Sequence, residues 1–106
     1  MRGRRVAITG LGCVTPIGIG TAAFAEGLRA GRSGVDTISL FDASGLDVTI
    51  AAEVKGFDPN EHLPAKDLRH VSRVVPLSLA AAGEALRDAG IDHERLSYGY
   101  QGLDVR

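Results

Sequence analysis

A chain of 106 residues, 44% of them apolar and with a formal net charge of −1, has room for one small domain. The near-neutral balance, with a pI near 6.3, excludes a general nucleic-acid binder, which needs a broad basic excess. A single cysteine excludes an internal disulfide and a zinc site of the usual cysteine spacing.

No apolar run approaches the roughly 20 residues of a membrane span. After Arg2, Arg4 and Arg5, the residues Thr9, Gly10, Gly12, Thr15 and Pro16 interrupt any signal-peptide core. The expectation is a soluble, cytoplasmic chain with no nucleic-acid or membrane partner. Fourteen glycines, about twice the roughly 7% average share, point to the many tight turns of layered α/β proteins.

In chain order, Val6, Ala7 and Ile8 form an apolar run with β-branched members that ends at Gly10 and Gly12. Such a run suits a central strand over residues 6–9, buried on both faces of a helix-covered sheet. A strand followed by Gly-x-Gly also suits a dinucleotide-binding loop. That loop needs a third glycine where Thr15 stands, an immediate helix, and an acidic residue about 20 positions on at a second strand. None of these is present. The simpler reading is a turn where glycines let backbone cross a crowded sheet end, and no cofactor is expected.

Thr21 can cap a helix of about ten residues that carries Phe24 and Leu28 and ends at Gly31 in the left-handed conformation. Residues 31–34 and 42–45 read as loops, the second opened by Asp42 in a side-chain-stabilised turn. Val48, Ile50, Ala52 and Val54 alternate with Thr49, Ala51 and Glu53, so residues 47–54 read as a strand with one apolar face. Asp58 and Pro59 supply an N-cap and first-turn proline for a short helix reaching about Leu63. Pro64 starts the next helical segment the same way.

Residues 64–89 carry a long helical pattern. At 100° per residue from Lys66, the apolar residues Val71, Val75, Leu79, Ala82, Leu86 and Ala89 fall between about 140° and 220°. Lys66, Arg69, His70 and Arg73 fall within about 60° of zero, on the opposite side. Pro76 lacks an amide hydrogen and clashes with the Ser72 carbonyl, so the helix should kink or restart near Ser72. Leu77 lies on the basic side, which implies cover on more than one face of the second half. Gly90 ends the helix. The basic stripe is either a solvated face or a docking surface for an acidic partner helix, with local potential speeding encounter. His62, His70 and His93 lack the i, i+4 spacing and the cysteine neighbours of a metal site, so no metal is expected.

Four blocks together carry a family resemblance. Ile8-Thr9-Gly10-Leu11-Gly12-Cys13-Val14-Thr15-Pro16-Ile17-Gly18, Ala30-Gly31-Arg32-Ser33-Gly34-Val35, Phe41-Asp42-Ala43-Ser44-Gly45-Leu46 and Ala80-Ala81-Ala82-Gly83-Glu84-Ala85-Leu86-Arg87-Asp88-Ala89-Gly90 occur in a characteristic order and spacing. They closely resemble the opening of type II elongating β-ketoacyl-acyl-carrier-protein synthases, from about Arg4 to about Ile91. The resemblance implies an α/β chain, the N-terminal part of a thiolase-like layered fold with an incomplete sheet. It divides the chain into a partial N-terminal synthase domain at 1–91 and a divergent, irregular tail at 92–106.

The resemblance also implies a chemistry. Intact relatives move an acyl group from acyl carrier protein to a cysteine. That thioester is then attacked by the carbanion that malonyl-carrier forms on losing carbon dioxide, with two histidines, a lysine and backbone amides in support. All those groups fall beyond the matched region, so no catalytic residue is assigned and the chain is expected to be inactive alone. Cys13 matches a variable position and reads as a small packing residue. Lys66, Arg69 and His70 match basic positions that dock the acidic carrier, and Arg73 completes the expected docking set. Intact relatives are typically homodimers.

Past Asp92 the family's next apolar strand is missing from residues 96–106, so the chain reads as cut short, by truncation, a shifted frame or a partial gene. An isolated chain of this kind is expected to be marginally stable or aggregation-prone. Two alternatives remain open: an inactive carrier-docking module, and a piece of a catalytically silent, chain-length-factor-like subunit.

Overall fold

The computed structural model describes residues 3–92. Its axis is the helix α3, Val74–Asp88, and the glycine-rich segment before the first hairpin lies directly against it. A Cβ on Gly10 would come within 2.1 Å of the Ala85 carbonyl oxygen, and one on Gly12 within 2.0 Å of the Ala81 oxygen. Both glycines therefore exist for close approach of backbone to backbone. The helix offers small residues, Ala81, Ala85 and Ala89, at four-residue spacing along the same row.

Beyond this crossing the chain folds into a tight hairpin, β1 (Val14–Thr15) and β2 (Gly18–Ile19). The strands are antiparallel, with Val14 opposite Ile19 and Thr15 opposite Gly18. Helix α1, Thr21–Arg29, follows. Its N-cap is Gly20 at φ 93°, and no side chain of that residue caps it, so the expected Thr21 cap is corrected by one position. Thr21 is the first helical residue instead, and its amide is served from another helix, as described below. The far end is as expected: Gly31 takes φ 64°. The Arg32 and Gly31 amides donate to the Gly27 and Leu28 carbonyls at 2.9 and 3.1 Å, the paired C-terminal bonds of a Schellman motif. Gly90, at φ 71°, closes α3 the same way.

Two expectations about strands change. Residues 6–9 join no sheet among the described residues, and Val6 and Ile8 are 89% and 84% exposed. A β-branched run states a fitness for a pleated, covered surface; a ladder needs a neighbour, and none of the described strands runs beside it. The expected strand at 47–54 shortens to β4, Ile50–Ala52. It pairs antiparallel with β3, Val35–Thr37, a strand that the sequence reading missed. Ladder bonding continues one step further, from the Ile38 amide to the Thr49 carbonyl at 2.8 Å. An exposed ion pair joins the strands, Lys55 Nζ to Asp36 at 3.1 Å. Glu53 accepts from the Ser39 amide and hydroxyl and from the Leu40 amide.

Asp42 accepts from the Ser44 amide at 3.0 Å, the turn expected of it. Asp58 caps a 3-10 turn, Pro59–Glu61, by accepting from the Asn60 amide. Pro64 then stands at the N-cap of a one-turn helix, α2, Ala65–Leu68.

Among the described residues the buried positions are few and small: Ala43, Ala80, Gly27 and Pro76. Val35, Leu40, Phe41, Leu46, Val48 and Ile50, all on or beside the β3–β4 ribbon, are more than half exposed. Mixed helix and strand elements are thus laid out with much of their apolar surface open, the incomplete α/β layering that the sequence implied. No helix among the described residues is long and apolar enough to cross a membrane. The expected tail lies, from residue 93 onward, outside the described residues.

Candidate functional site

The four basic candidates do not share one helical face. Helix α2 ends at Leu68 and α3 begins at Val74, so Lys66 lies in α2, Arg69 is its C-cap, His70 is in the connection, and Arg73 is the N-cap of α3. The cause is Pro76. Without an amide hydrogen at that position, the Ser72 carbonyl accepts from Val75 at 3.1 Å instead and the helix restarts, which places Pro76 in a first turn where the missing donor costs nothing. The predicted restart is therefore where it was expected, and the single helical wheel drawn through it is corrected.

Lys66, Arg69, His70 and Arg73 are all exposed. The first three make no side-chain hydrogen bond or ion pair with another described residue, whereas Arg73 is engaged. Its Nη2 donates to the Val54 carbonyl at 3.0 Å, and its guanidinium carbon lies 5.8 Å from the centre of the Phe57 ring. Phe57 in turn stacks on His62, centroids 5.2 Å apart and planes 6° from parallel. Beneath the connection, Pro59, Leu68, Val71, Ser72, Arg73 and Pro76 line a recess of about 230 Å³.

Farther along α3, two carboxylates missed by the sequence reading brace the glycine-rich segment. Glu84 accepts from the Cys13 amide at 2.9 Å, the Thr21 amide at 2.8 Å and the Thr21 hydroxyl at 3.1 Å. One side chain thus caps the N-terminus of α1 and anchors the start of the hairpin. Donation from those two backbone amides holds its carboxyl below the usual glutamate range. Four residues on, Asp88 accepts from the Leu11 amide at 2.9 Å. The available signal was a pair of acids at i, i+4 beside the alanine row that receives the glycines.

Cys13 is partly buried, and burial together with the nearby Glu84 charge pushes its thiol pKa up. A thiol so placed is a poor nucleophile, consistent with a packing role. No group of three metal-ligating side chains occurs among the described residues.

The family comparison agrees with the four sequence blocks. The family model described as "Beta-ketoacyl synthase, N-terminal domain" matches residues 3–104. "Putative polyketide beta-ketoacyl synthase 1" of Streptomyces halstedii is 47% identical over 93 residues, 87% of this chain and 22% of the relative. "3-oxoacyl-(acyl-carrier-protein) synthase 2" of Coxiella burnetii is 42% identical over 92 residues, again 87% and 22%. "Tetracenomycin polyketide synthase ketoacyl synthase beta subunit" of Streptomyces glaucescens is 42% identical over 90 residues, 85% and 22%. Among solved structures, "The ishigamide ketosynthase/chain length factor" superposes with a TM-score of 0.70 at 38% identity, over 82% of this chain and 22% of that one. The chain thus spans about a fifth of the length of the curated relatives it matches. By the match over residues 3–104, and by four sequence blocks in the family's order, the chain belongs to the β-ketoacyl synthase family, in its N-terminal domain.

Proposed function

We propose that this chain serves as the opening domain of a β-ketoacyl synthase, whose full-length form lengthens an acyl thioester by decarboxylative condensation with malonyl-carrier protein. The pathway is fatty-acid or polyketide synthesis, since relatives of both kinds match it at comparable identity. Condensation belongs to proteins of the relatives' full length. The contribution of this chain is docking of the acidic acyl carrier protein through Lys66, Arg69 and His70, with Arg73 behind them. One observation carries this reading: three exposed basic side chains stand within five residues, none of them paired to a described residue. Unspent cations such as Lys66 and Arg69 steer an acidic partner more than they tighten it, so binding should weaken steeply with salt. The division into a synthase part at 1–91 and a divergent tail at 92–106 belongs to the same proposal, as does a homodimer at full length.

Titration of an acyl carrier protein against the chain tests the docking. The double charge reversal Lys66→Glu with Arg69→Glu should weaken binding by about tenfold or more at low salt, since like charges then face the partner. Binding that ignores the reversal, or that does not weaken with salt, overturns the proposal.

A second reading has specific support. One relative is named a ketoacyl synthase beta subunit, and the matched structure is named as a ketosynthase with a chain length factor. On this reading the full-length protein is a non-condensing subunit paired with a different one. Sequence downstream of Arg106 separates the two: a cysteine in a small-residue motif followed by two histidines supports the condensing enzyme, and loss of that cysteine supports the silent partner.

A further inference from the structure

We infer that Arg73 acts in carrier docking as a positioning residue, a pin that holds the segment bearing Lys66, Arg69 and His70, and not as one of the contacts. The inference rests on the docking reading above. Its starting point is that the Arg73 guanidinium is already occupied, on the Val54 carbonyl at 3.0 Å and over the Phe57 ring at 5.8 Å. A guanidinium held by a backbone carbonyl and a ring face is not free to follow a mobile carboxylate. Lys66, Arg69 and His70 have no such ties.

The second step is topological. His62 stands just before α2 and Arg73 just after the connection that follows it, and both lie against the same ring, Phe57. Residues 63–72 therefore form a loop whose two ends close on one aromatic side chain, in the manner of a compact Ω-loop. Apolar packing does not replace that closure, because the connection crosses the 230 Å³ recess lined by Leu68, Val71 and Pro76. Helix α2 is one turn long, too short to hold its own shape. Docking residues on such a segment present a defined pattern only while the closure holds, and ordering them at encounter would otherwise weaken binding.

The test compares Arg73→Lys, Phe57→Leu and Lys66→Ala in acyl carrier protein titrations at two salt concentrations, together with amide hydrogen exchange of residues 66–72. Arg73→Lys keeps the charge and loses the planar fork, so a pin predicts a loss of about fivefold in affinity. Phe57→Leu removes no charge and should do the same. Neither should change the salt dependence, while Lys66→Ala should reduce it. Exchange in 66–72 should speed up by about tenfold in the first two variants and stay unchanged in the third. Wild-type binding and exchange in Arg73→Lys would overturn the inference, as would an Arg73→Ala variant that lowers the salt dependence as Lys66→Ala does. If Lys66→Ala leaves binding and its salt dependence untouched, the docking reading fails by itself. Exchange in Arg73→Lys still decides whether Arg73 is a pin, and this conservative variant covers the case where Phe57→Leu does not fold.

Discussion

Two regions of the described chain treat their surface in opposite ways. The segment 10–21 sits on α3 through bare backbone: glycines against alanines, with Glu84 and Asp88 accepting the amides that the crossing leaves over. The β3–β4 ribbon and residues 6–8 carry the larger apolar side chains and leave them open. Close packing here follows small residues, because a helix backbone can be approached only where no Cβ intervenes. Large apolar residues contribute only when a second layer covers them.

The contrast can be broken most forcefully at its tight side. Gly12→Val places its branches where the Ala81 carbonyl oxygen stands 2.0 Å from a bare Cβ. Overpacking of backbone on backbone should cost about 3 kcal/mol or more, and in a chain with so small a core it should abolish the cooperative thermal transition. Glu84→Ala comes next. It removes the acceptor of three donors and should cost about 2 kcal/mol, read as a lower denaturant midpoint.

The same carboxylate sets a pH dependence. Its folded pKa lies below the usual glutamate value, so its stabilisation is present above the unfolded pKa and is lost as pH falls through the folded one. Denaturation midpoints of the wild type should therefore fall on the acid side of pH 4.5 more steeply than those of Glu84→Gln. Equal slopes would remove Glu84 from the account. A related effect is kinetic: with its thiol pKa raised, Cys13 should be alkylated at pH 7 more slowly in the native chain than in urea.

The open side should respond in the reverse sense. Val6→Lys with Ile8→Lys changes residues that are 89% and 84% exposed, so the thermal midpoint should hold within a degree or two while aggregation falls. A marked loss of stability would mean that this run is covered after all. The smallest effect belongs to Lys55→Ala. Its ion pair with Asp36 is solvent-exposed, and its removal should leave the midpoint within experimental scatter.

Much of the local structure was legible because its causes are local. Gly31 and Gly90 end their helices in the left-handed conformation, Asp42 and Asp58 accept from amides two residues on, and Pro76 forces the restart at Val74. Each depends on a few bonds within one turn. The short strand at 35–37 was missed because three residues give no period, and its pairing to 50–52 is a property of two distant segments. The basic candidates were named correctly as exposed residues. Their geometry was not, since a helical wheel assumes the continuity that Pro76 removes.

By itself the sequence determined the family, the turns, the helix ends and the exposed basic run, all encoded in residue types at short spacing. Only the tertiary structure decided that Gly10 and Gly12 lie on the alanine row of α3, that Glu84 caps a helix 63 residues away, and that Arg73 and His62 meet on Phe57. The physical reason is the same in each case. A close approach, an acceptor or a ring face is defined by its partner, and these partners are brought together only when the chain folds.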